Sequence, residues 1–286
     1  LGIMSTAELS WPSIENIILS SPVLDNMRNS SEVVTYEAGV PYQKPGWPSP
    51  VGLSLGILAV VVGQLVVICY MYAMRVWGGL TPVQLAGAQK YIFSEALKTH
   101  VSEVGGLLLL GAYLAGTWMF NMMPASYYSF EGGVQPLKVI AQLVLQDIIQ
   151  TLMHYGEHKI NSSVYKYSHK PHHRFTNPRW ADAFNGSVPD TFCMILVPLY
   201  ITANVVHCNV WSYMVFGTMY SSWLTLIHSE YSHPWDPLFR RLGFGTAGDH
   251  HVHHTLFTSN YGHLFTYWDR MLGTYKSPMD VKKFRK

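Results

Sequence analysis

The chain has 286 residues, 49% of them apolar and 13% charged, with a formal net charge of +2. That charge content is about half the quarter usual in soluble domains, and so small a net charge excludes a nucleic-acid surface. Three scattered cysteines, Cys69, Cys193 and Cys208, lack CxxC spacing and exclude both a disulfide framework and a zinc finger.

In chain order, residues 1–50 carry six prolines and predict an extended or short-helical arm. Residues 51–74 hold no charge over 24 positions. As a helix they reach about 36 Å, enough for a bilayer core of about 30 Å, and they are too long and too far into the chain for a signal peptide. A second uncharged run, 104–123, predicts another crossing. Residues 136–153 are mixed: Lys138 and Asp147 require this helix to turn its polar side toward protein. Apolar runs 191–206 and 209–227, parted by His207 and Cys208, predict a tight helical hairpin. The expected fold is an all-α integral membrane protein with about four transmembrane helices in two hairpins. Its segments are the arm 1–50, helices 1–2 with a basic loop over 51–135, and a histidine-rich domain over 136–286.

Charge orients these helices. If 75–103, 154–188 and 228–286 share one side, that side carries 16 of the 19 lysines and arginines, and the other carries Arg28 and Lys44. The positive-inside rule then makes the rich side cytosolic. It also makes the arm non-cytosolic and places a histidine-rich helical cap at the cytosolic face.

Thirteen of the 14 histidines lie between 154 and 263. His154 and His158 stand at i, i+4; His169, His172 and His173 at i, i+3, i+4; His250, His253 and His254 repeat that spacing; His228 opens "HSEYSH". Such spacings gather rings on one side of a helical turn. Imidazole suits iron, zinc and copper, and nine rings are about twice what one ion uses, so two metals are the economical reading. Asp147, Gln150, Thr151, His154 and His158 fall within about 100° on one helical face, and Asp147 is a candidate to orient a ligating histidine.

"HYGEH", "HKPHH", "IHSEY", "HHVHH" and "NYGHLFTYWDRMLGTY" resemble the fatty acid hydroxylase/sterol desaturase superfamily over about residues 139–275. The resemblance is closest to sterol C5-desaturase (lathosterol oxidase)-like members. It implies a four-helix membrane enzyme with two non-haem Fe ions, with zinc as a substitute in purified protein. Dioxygen and electrons from cytochrome b5 or its reductase would serve desaturation or hydroxylation of a lipid, most readily a sterol. It also implies residence among membrane lipids, in the endoplasmic reticulum, with a mitochondrial or plastid membrane as the alternative. The ligands it implies are His154, His158, His169, His172, His173, His228, His250, His253 and His254. One position departs: Ser187, in "SVPD", stands where the pattern has a histidine, and His233 and His251 are the candidates to replace it.

Asp147, Glu157, Glu230 and Asp249, with Asp182 and Asp190, are candidates for the outer shell of the site. Two rival readings remain. Ser187 favours a non-catalytic subunit of a larger membrane complex. HxxEH favours a zinc hydrolase with Glu157 as general base. His263 divides evenly between lining the site and packing. His207 and His100 read as interfacial and surface residues.

Overall fold

The uncharged stretch winds into α1 (Pro50–Trp77), a 28-residue helix with no acid in its first turn. The computed structural model describes residues 54–284 apart from Gly56 and Asn121, the backbone of α1 from Pro50, and an antiparallel strand pair, β1 (Thr35–Glu37) and β2 (Val40–Tyr42). The rest of the arm lies outside the described residues. Next come β3 (Thr81–Pro82), α2 (Phe93–His100) and α3 (Val104–Met119). α2 and α3 meet at a 57° bend. α1 and the continuous stretch Val188–Val205 are long and apolar enough to cross a membrane, and α2 with α3 makes a third span if counted as one broken helix.

α4 (Pro136–Lys159) starts on a proline at its first turn, where no N–H is needed. Its polar stripe, Gln142, Gln146, Asp147, Gln150, Thr151 and His154, is fully or almost fully buried, so the mixed helix does turn its polar side toward protein. After α5 (Ser162–Tyr167), α6 (Val188–Thr191) runs through one wide π-turn, Phe192–Leu196, into α7 (Val197–Val205), and α8 (Val210–Ile227) follows.

The expected tight hairpin of the last two is not formed: α8 packs chiefly on α1 and α4, with little contact to α7. Two local causes are visible. Asn209, the N-cap of α8, ties its amide to the carbonyls of Glu131 and Gly133, holding the turn open against that loop. The small, polar face of α8 matches α1. A Cβ on Gly63 would lie 2.9 Å from the Thr218 carbonyl oxygen and 3.0 Å from Ser221 Oγ. Thr218 donates to the Ala59 carbonyl at 2.9 Å and Gln64 to that of Ser221 at 2.9 Å. Close backbone approach with buried polar cross-links is how helices associate where no water drives them together.

The C-terminal part comprises β4 (Tyr231–Ser232, paired with β3), α9 (Asp236–Arg241), α10 (Ala247–Leu256) and α11 (Tyr267–Leu272). α10 begins with a reciprocal capping box between Thr246 and Asp249 and ends at Phe257 in the left-handed region.

Candidate metal centre

The candidate ligands come from four places in the fold. α4 supplies His154 and His158 from its last turns, α8 delivers His228 as its C-cap, and α10 supplies His250, His253 and His254. The turn after α5 supplies His169, His172 and His173. The rings converge into two groups, each with its donor atoms within 4.8 Å of one another: His154, His158, His169, His173 and His253, and then His172, His228, His250 and His254. Both HxxHH motifs are split. His169 and His173 face the first group while His172 faces the second; His253 joins the first while His250 and His254 join the second. The i, i+3, i+4 spacing therefore straddles two centres instead of filling one.

Within the groups all contacts run between Nε2 atoms. His154 meets His169 at 2.9 Å, and His173 meets His158 at 3.1 Å and His253 at 3.0 Å. His228 meets His172 at 3.1 Å and His250 at 2.9 Å, and His250 meets His254 at 3.1 Å. The opposite nitrogens show what fills these gaps. Nδ1 of His154, His228 and His253 donates to the carbonyls of Tyr261, Leu224 and Ser259 at 2.7–2.8 Å, and Nδ1 of His169 donates to Asp190 at 2.7 Å. A neutral ring that donates at Nδ1 presents a bare lone pair at Nε2. His154 and His169 therefore point lone pairs at each other across 2.9 Å, which only a cation relieves. Two nitrogens bonded to one ion at about 2.1 Å stand about 3.0 Å apart at right angles and about 3.4 Å apart at the tetrahedral angle. The observed 2.9–3.1 Å fits the right-angled arrangement.

Burial, and then the neighbouring imidazoles, holds His172, His250, His253 and His254 well below the usual 6.5, so these rings stay neutral and ready to bind metal. Burial likewise lowers His251 and His263 to about 3 and His233 to about 4. Below pH 6.5 an unfolded chain binds protons that these rings refuse until about pH 3–4. Stability of the metal-free fold is thus present above 6.5 and lost as pH falls through that window. Thermal unfolding of chelator-treated protein should show Tm level from pH 7.5 to about 6.5 and falling from there to pH 5, and a profile flat throughout would contradict the burial of these rings.

Several sequence expectations are corrected. His233 and His251 do not stand in for the missing histidine. His233 bonds the Tyr70 hydroxyl at 2.9 Å and stacks on Trp235, and His251 meets Gln84 at 3.2 Å, both away from the two groups. Ser187 instead caps α6, accepting from Asp190 N–H and donating to the Ser168 carbonyl at 2.6 Å, so it fixes Asp190 against His169. Asp147 does not touch a histidine ring. It accepts the N–H groups of His263, Leu264 and Phe265 and the indole of Trp268, because the loop that closes over α4 offers four donors at once.

Glu230 holds Tyr91 and Trp180, Asp249 caps α10, and Asp182 pairs with Arg179. Of the carboxylates, Asp190 and Glu157 adjoin a ligand, both at His169 Nδ1 (2.7 and 3.5 Å). Glu157 thereby faces away from the Nε2 convergence, where a hydrolytic general base would have to stand. His100, read as a surface residue, is buried and bonds Gln64 at 3.0 Å.

Two cavities adjoin the rings. A chamber of about 40 Å³ is lined by His169, Asp190, His172, His228, His263 and Gln150, so it touches both groups. His263, for which lining the site is one of the two sequence readings, does line the chamber and stacks on His154 with ring centres 5.0 Å apart. Phe184, Ile195 and Leu224 also line this chamber and separate it from a cavity of about 340 Å³ between α1, α3 and α8. The walls of that cavity are almost wholly hydrocarbon, from Leu65 and Ile68 to Leu110 and Phe216. Its volume lies in the range of ligand pockets.

The fatty acid hydroxylase family matches residues 139–274, which include all nine rings. An alternative squalene epoxidase of Phaeodactylum tricornutum is 50% identical over 96% of this chain and 84% of its own. Methylsterol monooxygenase 1 of Gallus gallus is 30% identical over 56% of this chain and 55% of its own, and lathosterol oxidase of Rattus norvegicus 34% over 50% and 46%. No solved structure matches the chain. Family match, relatives and paired histidine groups agree: the chain belongs to the fatty acid hydroxylase/sterol desaturase superfamily.

Proposed function

We propose that this protein is a membrane-bound, dioxygen-dependent lipid oxidoreductase that epoxidises squalene, with one iron ion in each histidine group. The observation that carries the reading is the pairing of a chamber bordered by both groups with a hydrocarbon-walled cavity across Phe184, Ile195 and Leu224. When bound, two irons supply the redox chemistry that dioxygen activation needs and zinc lacks. The chain's own residues do the rest. Carbonyls of Tyr261, Leu224 and Ser259 and the carboxylate of Asp190 fix which nitrogen of His154, His228, His253 and His169 is free. The apolar walls exclude water and hold an alkene by shape alone, since it has no polar handle.

A sterol with a ring hydroxyl would ask for a polar anchor, and the walls offer little of one. The 50% identity to an alternative squalene epoxidase over nearly the whole chain supports the same choice over sterol desaturation. An electron-carrier protein such as cytochrome b5, and an endoplasmic reticulum membrane with the cap in the cytosol, complete the proposal. Nine convergent Nε2 atoms, four of them on rings whose Nδ1 is held by a carbonyl or carboxylate, argue against a non-catalytic subunit.

Purified, iron-loaded protein given squalene, a reducing system and ¹⁸O₂ should yield squalene epoxide carrying one heavy oxygen. Labelled hydroxysterol or a new sterol double bond, with no epoxide, would overturn the choice of reaction.

A further inference from the structure

Gln142, Gln146 and Gln150 follow one another at i, i+4, i+8 on the buried face of α4, and the next residue in that series is the ring of His154. All three are 0–2% exposed. Among the described residues, Gln146 Oε1 and Gln142 Oε1 have no protein hydrogen-bond partner, and the Tyr220 hydroxyl is the one protein group that interacts with the Gln146 amide. The two ends of the row are tied. Gln142 donates to the Tyr127 hydroxyl at 2.8 Å, which donates to the Val206 carbonyl at 2.8 Å. Gln150 accepts the Tyr220 hydroxyl and lines the chamber beside His263.

A buried amide oxygen without a partner costs about 1–3 kcal/mol, and water is the usual remedy. Residues four apart on a helix rise about 6 Å, twice a hydrogen-bond length, so one water molecule spans each gap between successive amides. The chamber itself has room for about three or four waters by volume, at about 10–15 Å³ each.

We infer that α4 carries a file of internal water, bridged by Gln142, Gln146 and Gln150, that ends in the histidine chamber and supplies it with protons. The file follows from the unpartnered amide oxygens; its catalytic role rests on the proposed epoxidation. That reaction takes one alkene, one O₂, two electrons from an external one-electron carrier protein and two protons, and it releases the epoxide and one water. The hydrocarbon cavity delivers none of those protons and offers the product water no route. The row of amides reaches the chamber from α4, with Tyr220, which lines the hydrocarbon cavity, forming the wall between them. Gln146 is a positioning residue: it orders water and does not touch substrate.

The test joins a map with a kinetic readout. A structure of the metal-loaded protein at water-resolving resolution should show density within hydrogen-bonding distance of Gln146 Oε1 and Nε2. Gln146→Leu should keep its metal and its fold, since the residue lies away from both histidine groups. Its turnover should fall about 10²-fold, the scale of a lost proton donor, while the solvent deuterium isotope effect roughly doubles. Gln142→Leu should repeat that signature, and Gln146→Asn should restore part of the rate. A dry column, an unchanged isotope effect, or an isotope effect that responds to Glu157→Gln instead would overturn the inference. Should wild type prove inactive on squalene, the proposed function falls while the density map still decides the file.

Discussion

Replacing His173 by alanine is expected to empty the first metal group while the fold persists. Its Nε2 lies 3.1 Å from that of His158 and 3.0 Å from that of His253, so it is shared by two of the contacts that define the group. Its loss leaves His154 and His169 facing each other, with His158 and His253 no longer linked through it. Metal content should drop from about two ions per chain to about one, and activity by more than the roughly 10–100-fold that losing an outer-shell partner costs. His250→Ala makes the matching test of the second group, because His250 meets both His228 and His254. His233→Phe is the control: its ring stacks on Trp235 outside both groups, so two metals should remain. Metal analysis of the three purified variants distinguishes the readings. Equal metal loss in all three would mean that the groups are packing clusters.

Much of this arrangement is legible in the sequence because periodicity and ligand chemistry are local. The 24 uncharged residues predict α1, and the polar stripe of 136–153 predicts that α4 faces protein. The spacing of His154 with His158 predicts one ring face, and the nine rings of the histidine motifs do come together. How they divide is not legible. The split of His172 from His169 and His173 depends on where α8 brings His228, a contact made across 56 positions. The hairpin expected for 191–227 fails for a similar reason: Asn209 and the Gly63 face find distant partners that override the short turn. Carboxylates mislead most, because a buried acid serves a metal ligand or a backbone loop equally well, and only geometry separates Asp190 from Asp147.

Asp147 leads to the second large expectation, one of stability. Its carboxylate takes Leu264 N–H at 2.7 Å, Phe265 N–H at 2.9 Å, His263 N–H at 3.3 Å and the Trp268 indole at 2.8 Å, all in a fully buried site. The loop it holds also presents the Tyr261 carbonyl to His154 Nδ1 and sets His263 against the His154 ring. Asp269 secures the same loop from the other side, accepting from Tyr261 and Gly262 at 2.8 and 2.7 Å. Asp147→Ala strands four buried donors, and at about 1–3 kcal/mol each the loss exceeds about 4 kcal/mol, enough to unfold much of the population. Asp147→Asn keeps the shape but turns one acceptor into a donor facing donors, so it should fold with a lowered Tm. In that variant His154 loses its fixed tautomer first, and the first group should release metal at lower chelator concentration than the second. A variant with unchanged Tm and equal release from both groups would mean that the "NYGHLFTYWDR" segment does not position the ligand set from behind.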